Sequence, residues 1–379
     1  MKHFGDVIWK SYEEIGKEVH KFGAALKKVG LVAAPQKATL DKMTTPCSLA
    51  IFENTCGEWM VAAQAAFSQS IVVTTIYSTL GMDAVIEAVK DGVISAIVCN
   101  KINVKAIVGR MKEMPTLKTI IYTSDTIAKT DVIDMPVAPK GVLLISFEDF
   151  VAMGDIVAFP PTPPTPETMA VLMYTSGSTG KPKGVVITHA QIVAAIASGA
   201  EMLGIESGEV YLGYLPLAHI MELMAELCMI TLGVTITYAD PKTLTVKGAF
   251  PIGALEQYSP NLMVGVPKIW DVIKKGVEAK VAAGSPLTRF LVATAFQART
   301  FAMNHGYDTP LFKALVFKKF AKVVGGKLRI ALSGGGPLNN EVQVFIRTCF
   351  GCPLFQGYVS TVILFSWLFL CCGVGTCSE

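Results

Sequence analysis

The stretch that decides the fold reads Tyr174-Thr-Ser-Gly-Ser-Thr-Gly-Lys-Pro-Lys-Gly-Val185. It lies between two apolar runs, 169–173 and 185–187, which predict two strands joined as a hairpin. Glycine lets backbone amides approach an anion closely, and the hydroxyl and lysine side chains add donors and positive charge. The stretch therefore predicts a phosphate-binding loop held on a rigid pair of strands.

Two other interpretations of this stretch fit less well. A Walker-type P-loop needs a Ser or Thr directly after its lysine, whereas Pro182 follows Lys181 here. A flexible surface hairpin does not need so many glycines, hydroxyls and lysines, because a simple turn is made with two to five residues. Phosphate binding is thus favoured, without a Walker-type site.

The size and composition of the chain allow a large folded core. It has 379 residues, of which 51% are hydrophobic, and this is too long for one small domain. We predict an N-terminal α/β sub-domain at 1–157, a proline-rich connector at 158–167, a second α/β sub-domain at 168–358 and an apolar tail at 359–379. The net charge is only +3 and no basic block is present, so no nucleic-acid partner is expected.

Short runs of β-branched residues alternate with helical stretches along the chain. In the first half, strands are predicted at 48–52, 70–76, 96–99 and 119–122, and helices at 57–68, 82–91 and 103–113. After the connector, strands are predicted at 234–238, 262–266 and 327–332, and helices at 189–203, 218–231, 267–283 and 285–304. This alternation predicts an α/β fold with parallel sheets. The last strand leads into a glycine turn at 334–336, at a carboxyl end, where such sheets bind ligands.

Residues 15–29 have the pattern of an amphipathic helix. Ile15, Val19, Phe22 and Leu26 recur at helical spacing, lysines occupy other faces, and Gly30 ends the pattern. The simplest interpretation is a helix packed on the core. A basic helix lying on a membrane is the alternative.

The nine cysteines fit a reducing compartment. Most lie in apolar runs, where a free thiol behaves as a small hydrophobic group. Cys349 and Cys352 have CxxC spacing, but no second pair and no suitably spaced histidines accompany them. Buried thiols are therefore favoured over a metal or redox site, and no metal-binding residue is predicted.

The two ends of the chain bear on secretion and on membrane anchoring. Residues 1–20 are charged throughout and lack the apolar region of a secretory signal, so we expect a protein that starts in the cytosol. Residues 359–377 carry no charge but include several serine, threonine and glycine residues. They are a borderline tail anchor.

The chain resembles the adenylate-forming, AMP-binding superfamily at the phosphate loop, and within it the long-chain fatty acyl-CoA synthetases. The other matching segments are Asn54-Thr-Cys-Gly-Glu-Trp59, Ile76-Tyr-Ser-Thr-Leu-Gly81, Tyr211-Leu-Gly-Tyr-Leu-Pro-Leu-Ala-His-Ile-Met-Glu222, Val264-Gly-Val-Pro-Lys-Ile-Trp270 and Ala331-Leu-Ser-Gly-Gly-Gly-Pro-Leu338. Their order matches that of the family, and the resemblance runs from about residue 10 to Tyr358.

The resemblance implies the large N-terminal domain of the adenylate-forming, firefly luciferase-like fold, with sheets flanked by helices and the small C-terminal lid domain missing. The implied reaction is ATP-dependent activation of a long-chain fatty acid to acyl-AMP, followed by transfer to CoA. ATP, a fatty acid and CoA are the implied partners. The expected location is the cytoplasm or the cytosolic face of an intracellular membrane such as the endoplasmic reticulum, with peripheral membrane association left open.

Roles for individual residues follow from the same resemblance. The residues that would hold the β and γ phosphates of ATP are Thr175, Ser176, Gly177, Ser178, Thr179, Gly180 and Lys183; Lys181 is left out because the family varies there. The residues that would line the adenine and the reacting carboxylate are Gly334, Gly335, Gly336 and Pro337, and Tyr358 would stack on the adenine.

The acyl pocket is implied by two further segments. Gly265, Val266, Pro267 and Trp270 would wall a tunnel for an apolar chain. A lone histidine among apolar residues is usually just hydrogen-bonded in the core, but the matching segment around His219 favours a catalytic place near the carboxylate. Glu222 is given only a supporting role.

Beyond Tyr358 the chain departs from the family pattern. Thr361 still fits the family's catalytic threonine, but Val362 stands where the family has the glutamate that holds Mg²⁺. The resemblance thus implies Mg²⁺ as a cofactor, but this chain lacks the glutamate that usually holds it. Two hypotheses stay open: an active fatty acid:CoA ligase, and an inactive truncated or frameshifted family member that retains only nucleotide or fatty-acid binding.

Overall fold

The computed structural model describes residues 2–3, 7–36, 44–124, 131–175, 183–358 and 368–370. The chain divides into two compact units. The first unit comprises Val7–Ala195 and Pro216–Leu223, and the second comprises Met1–Asp6, Ile196–Leu215 and Met224–Glu379. Each unit is built around its own sheet.

The helices and strands follow one another in the predicted alternation. Up to residue 203 they are β1 (Lys2–His3), α1 (Tyr12–Lys28), β2 (Ser48–Phe52), α2 (Gly57–Ser68), β3 (Val72–Thr75), α3 (Met82–Asp91), β4 (Ala96–Asn100), α4 (Val104–Gly109), β5 (Thr119–Thr123), β6 (Leu143–Ser146), α5 (Phe147–Ala152), β7 (Met169–Thr175), β8 (Lys183–Thr188) and α6 (His189–Leu203). From residue 210 they are β9 (Val210–Gly213), α7 (Ile220–Thr231), β10 (Thr235–Tyr238), β11 (Ala249–Phe250), α8 (Ala254–Tyr258), β12 (Leu262–Gly265), α9 (Pro267–Ala282), α10 (Pro286–Asn304), α11 (Pro310–Phe312), α12 (Lys318–Ala321), β13 (Ile330–Ser333), α13 (Asn340–Phe350), β14 (Leu354–Tyr358) and β15 (Leu368–Leu370). A π-helical turn, Lys313–Phe317, connects α11 to α12.

The first unit contains a seven-stranded sheet in the order β6-β5-β4-β2-β3-β7-β8. All neighbouring pairs are parallel except the β7–β8 hairpin. Every residue of β2, β3 and β4 is buried, as expected for parallel strands covered on both faces. The predicted parallel sheet is thus confirmed.

The first long helix packs inside the first unit. The ring of Phe22 in α1 lies 4.9 Å from that of Phe147 and 4.7 Å from that of Phe150, both in α5. Ser11 and Glu14 form a capping box at the start of this helix, which satisfies amide groups of its first turn. The core-packing interpretation of residues 15–29 is confirmed, because the apolar face of this helix is covered by protein.

The second unit contains a six-stranded sheet in the order β10-β9-β12-β13-β14-β15. Its pairs are parallel except for β14 and β15. The short strands β1 and β11 form a separate parallel pair. The carboxyl ends of β9, β10, β12, β13 and β14 therefore meet at one edge of the larger sheet.

The boundary between the units differs from the predicted sub-domains. The connector at 158–167 has no helix or strand, as predicted, but the chain after it stays in the first unit. The reason is strand pairing: β7 lies parallel to β3, and β8 pairs with β7. Residues 168–195 thus complete the first sheet instead of opening a second sub-domain at 168–358.

The cysteines and the tail can be placed in part. Cys47, Cys56, Cys99, Cys228, Cys349 and Cys352 are buried, and none of these six forms a disulfide. Burial raises the pKa of Cys349 and of Cys352 to about 12. No helix among the described residues is long and apolar enough to cross a membrane. Of the tail at 359–379, the structure describes only β15.

Candidate functional site

The phosphate loop is mounted on the predicted hairpin. Strands β7 and β8 are antiparallel, and Thr175 pairs with Lys183 at the end of the hairpin where the loop is attached. The loop residues Ser176, Gly177, Ser178, Thr179 and Gly180 lie outside the described residues. The loop therefore starts and ends on the seven-stranded sheet, where β7 continues the parallel strands.

Tyr174, which opens the motif, is held in its neutral form. Its side chain lines a cavity of about 20 Å³ beside Glu87 and Asp91 of α3. Burial and these two carboxylates raise the pKa of its hydroxyl. The cavity is large enough for one water molecule, and the hydroxyl has no hydrogen-bond partner among the described residues. Tyr174 is thus a buried, uncharged tyrosine at the point where the loop begins.

His219 lies on a short segment, 216–223, that is tied to the first sheet. The amide of Leu217 donates to Thr55 Oγ1 at 2.9 Å, and Thr75 Oγ1 donates to the carbonyl of Ala218 at 3.3 Å. Thr75 ends β3, and Thr55 follows the end of β2. The segment is therefore fastened at the carboxyl edge of the parallel strands.

The protonation state of His219 follows from its hydrogen bond. The amide of Met221 donates to Nδ1 of His219 at 3.1 Å, and burial lowers the pKa of the imidazole. A neutral imidazole that accepts at Nδ1 carries its proton on Nε2. His219 is thus neutral with an Nε2–H donor. Glu222, one turn further, is fully buried.

The His219 segment and the phosphate loop meet at the same sheet edge. Thr75, which holds Ala218, pairs in register with Met173 of β7. Thr175 is only two residues further along that strand. Within the first unit, two elements that the sequence connects only through a resemblance therefore converge on the carboxyl ends of β3 and β7.

Thr55 and Thr75 are positioning residues that sequence reasoning missed. Their signal was weak, because a hydroxyl residue at or just after a strand end is common in loops. Thr55 lay inside a matching segment, 54–59, but nothing in the sequence indicated that its side chain meets residue 217.

Thr55→Val is expected to lower the free energy of unfolding by about 1–2 kcal/mol. The amide of Leu217, a residue only 1% exposed, would lose its acceptor without any change in side-chain volume. Denaturant unfolding measures the loss. Thr55→Ser keeps the hydroxyl and should retain most of the stability; equal losses in both variants would contradict the assignment.

His189 is a buried histidine that directly follows the hairpin. Its ring meets the ring of Phe67 edge-on, with centroids 5.3 Å apart, and its Nε2 has no hydrogen-bond partner among the described residues. Burial lowers its pKa to about 4. His189 is therefore neutral in the folded protein.

The stability of the protein is expected to fall as the pH drops from about 6.5 towards 4. Over this window the unfolded chain binds a proton at His189 and the folded chain does not, so protonation favours unfolding. Thermal unfolding of wild type and His189→Asn across this range measures the effect. Wild type should be the more stable of the two at neutral pH, and the difference in melting temperature should shrink as the pH falls. If the melting temperatures of the two proteins changed in parallel with pH, His189 would not be the cause of the acid sensitivity.

The predicted glycine turn lies at the carboxyl edge of the second sheet. Gly265 of β12 pairs with Ser333 of β13, and the amide of Gly334 donates to the carbonyl of Gly265 at 3.1 Å. Gly335 has φ +77°, which favours glycine, whereas an added Cβ on Gly336 would meet only ordinary contacts. Gly335, Gly336 and Pro337 are exposed, so this turn is open to a ligand.

Gly265 is closely surrounded by two aromatic side chains. A Cβ at this position would lie 2.9 Å from Trp270 Nε1 and 3.0 Å from Tyr214 Oη. Trp270 is completely buried and Tyr214 is 2% exposed. Glycine is therefore required here, and it lets the indole of Trp270 pack against the strand that carries the turn.

Tyr358 and the last predicted residues are placed in part. Tyr358 ends β14, which is parallel to β13, with Gln356 opposite Ser333. Its backbone thus reaches the same edge as the Gly334 turn. Thr361 and Val362 lie outside the described residues. Within the described residues, no group of three or more His, Cys, Asp or Glu side chains is placed to hold a metal ion.

The chain is similar in sequence to known proteins. Long chain acyl-CoA synthetase 8 of Arabidopsis thaliana is 34% identical over 371 residues, which cover 94% of this chain and 49% of that protein. Long-chain-fatty-acid–CoA ligase 1 of Schizosaccharomyces pombe is 32% identical over 362 residues, covering 94% of this chain and 51% of that protein. The chain spans about half the length of these curated relatives.

The fold also matches solved structures. The A domain of a carboxylic acid reductase from Segniliparus rugosus superposes with a TM-score of 0.66 over 93% of this chain and 53% of that one, and its 15% identity makes this a likeness of fold alone. The AMP-binding enzyme family matches residues 2–367. With nearly the whole chain matched, and with the hairpin and the glycine turn each at a carboxyl edge, the chain belongs to the family of AMP-binding enzymes.

Proposed function

We propose that this chain activates a long-chain fatty acid with ATP and transfers the acyl group to CoA. A carboxylate oxygen attacks the α-phosphorus of ATP, the bond to the β-phosphate breaks, and pyrophosphate leaves. The CoA thiolate then attacks the acyl carbon, and AMP leaves. The observation that carries the proposal is the phosphate-loop motif on the β7–β8 hairpin in a chain that belongs to the AMP-binding enzymes.

In this proposal the first unit supplies the phosphate site. Residues 175–180 and Lys183 bind the β and γ phosphates and neutralise the charge that grows on pyrophosphate. His219 directs its Nε2–H at the fatty-acid carboxylate. Support comes from the hydrogen bonds that fasten its segment at the edge where the loop begins.

The second unit supplies the nucleoside site. The exposed turn of Gly334, Gly335, Gly336 and Pro337 receives the adenine, and Tyr358 stacks on it. Thr361 takes the family's catalytic threonine position. Support comes from the parallel pairing of β12, β13 and β14, which brings the turn and the backbone of Tyr358 to one sheet edge.

Substrate and location follow from the relatives. The two curated relatives named above are named for long-chain fatty acids or acyl groups. We therefore assign a long-chain fatty acid to this chain and place the reaction in the cytoplasm or on the cytosolic face of an intracellular membrane. A non-catalytic family member that only binds nucleotide or fatty acid is the second candidate, favoured by Val362 at the position of the family's Mg²⁺-holding glutamate.

Formation of AMP from ATP, palmitate and CoA tests the proposal. Purified chain should produce AMP only when fatty acid and CoA are both present, and Lys183→Ala should reduce the rate about a hundredfold. Lys140→Ala, an exposed lysine far along the sequence from the loop, is the matched control and should leave the rate unchanged. Nucleotide binding without AMP formation would overturn catalysis and support the second candidate.

A further inference from the structure

The solvent-facing side of α10 is apolar. Leu287, Phe290, Leu291 and Phe301 are each 51–68% exposed. Phe290 and Leu291 follow Leu287 by three and four residues, and Phe301 follows them by eleven and ten, so at 3.6 residues per turn the four side chains form one stripe along the helix. A row of large exposed apolar side chains on one helix face is typical of an interaction surface.

The opposite side of α10 packs into the second unit. The ring of Phe296 lies 5.7 Å from that of Phe345 in α13, and the hydroxyls of Thr300 and Thr348 are 3.0 Å apart. Arg299, on the same side, is 2% exposed. The apolar stripe therefore points away from the core of the unit. The helix already has a buried face, so the exposed stripe is a second apolar face.

The chain after α10 continues the same kind of surface. Its exposed apolar side chains are Tyr307, Leu311 and Leu315, and its exposed lysines are Lys313, Lys318, Lys319 and Lys322. Phe317, in the middle of this segment, is buried, with its ring 4.8 Å from the guanidinium of Arg299. The basic segment is thus fixed against the helix that carries the apolar stripe.

The charge of this region is one-sided. Residues 284–327 contain seven lysines and arginines and one acidic residue, Asp308. Arg289 and the four exposed lysines form no ion pair with another described residue. A second copy of this chain would bring two positive surfaces together, which disfavours a dimer here.

We propose that the α10 surface, formed by the stripe on α10 and by residues 307–322, binds an anionic lipid bilayer. Leucine and phenylalanine side chains enter the boundary between headgroups and acyl chains, Tyr307 lies at headgroup level, and the lysines meet anionic headgroups. No residue of this surface belongs to the predicted site. The proposal is therefore independent of the ligase reaction.

Flotation of the purified chain with lipid vesicles tests the proposal. The chain should float with phosphatidylcholine vesicles that contain phosphatidylserine, more weakly with phosphatidylcholine alone, and less as salt is added. Lys318→Ala/Lys319→Ala should weaken binding to the anionic vesicles about thirtyfold. Phe290→Glu/Phe301→Glu should abolish it.

Two matched controls lie in the first unit. Lys112→Ala/Lys140→Ala removes two other exposed lysines, and Ile102→Glu places an acid on another exposed apolar residue; both should bind vesicles like wild type. A far-UV circular dichroism spectrum and a melting temperature like those of wild type would show that the α10 variants are folded. Equal binding by all variants, no binding to anionic vesicles, or a dimer that Phe290→Glu/Phe301→Glu dissociates would overturn the proposal.

Discussion

Replacing Gly265 by alanine is expected to lower the free energy of unfolding by about 3 kcal/mol, the upper end for overpacking a core. The added methyl would lie 2.9 Å from Trp270 Nε1 and 3.0 Å from Tyr214 Oη. Neither aromatic side chain has free space into which to move, since both are buried. Because the carbonyl of Gly265 accepts from the amide of Gly334, the displaced strand should also distort the glycine turn at 334–336. If this turn receives the adenine as proposed, AMP formation should fall as well.

Gly336→Ala is the matched control for this prediction. Its added Cβ would have Pro267 Cγ at 3.8 Å as its nearest neighbour, an ordinary contact, so stability should hardly change. Trp270→Phe, which removes the indole nitrogen, should recover part of the loss when it is combined with Gly265→Ala. If denaturant unfolding gave the same midpoint for Gly265→Ala and Gly336→Ala, the packing described around Trp270 would be wrong.

His219→Asn is expected to reduce kcat/KM for the fatty acid about a hundredfold with little change in melting temperature. An asparagine side-chain oxygen can still accept from the amide of Met221, as Nδ1 does in the wild type at 3.1 Å. It cannot supply the Nε2–H donor. The change therefore removes the proposed contact with the carboxylate and keeps the local hydrogen bond that orders the segment.

His20→Asn is the control, because His20 is an exposed histidine on α1. It should leave both kcat/KM and melting temperature unchanged. A His219→Asn enzyme with wild-type kcat/KM would show that His219 is a core histidine, which is the ordinary interpretation of such a residue. A large fall in melting temperature would point the same way.

The alternation of strands and helices could be predicted because each element has its own local pattern of apolar residues. The structure has helices at Gly57–Ser68, Met82–Asp91 and His189–Leu203, with the bounds that the apolar spacing indicated. The hairpin of β7 and β8 was predictable for the same reason: two apolar runs flank a glycine-rich loop. Such features depend on neighbours in sequence, so one sequence is enough to find them.

The unit boundary could not be predicted in this way. Strand β7 joins the first sheet because it pairs with β3, which lies nearly a hundred residues earlier. The local composition of a strand does not indicate which distant strand it pairs with. A proline-rich connector suggested a boundary at 158–167, but the chain returns to the same sheet after it. The short elements β6 and α5 were also absent from the prediction, since a four-residue strand and a six-residue helix carry little periodicity.

The candidate site, too, could be predicted only in part from the sequence. Motifs indicated the loop, the glycine turn and His219, but the contacts that assemble them involve Thr55, Thr75 and Tyr214, whose partners are distant in sequence. The face of α10 is a further case, because its apolar residues alone do not say which of them point to solvent. Only the packing of Phe296 and Thr300 on α13 identifies the outer side.

Direct detection of acyl-AMP tests whether this chain joins a fatty acid to AMP. Purified chain incubated with ATP and palmitate, without CoA, should form an adenylate that hydroxylamine converts to palmitoyl hydroxamate, detected by mass spectrometry. Hydroxamate should form only when ATP is present, and Lys183→Ala and His219→Asn should each reduce its amount strongly. A folded wild-type chain that forms no hydroxamate above a blank without ATP would contradict the proposed activity.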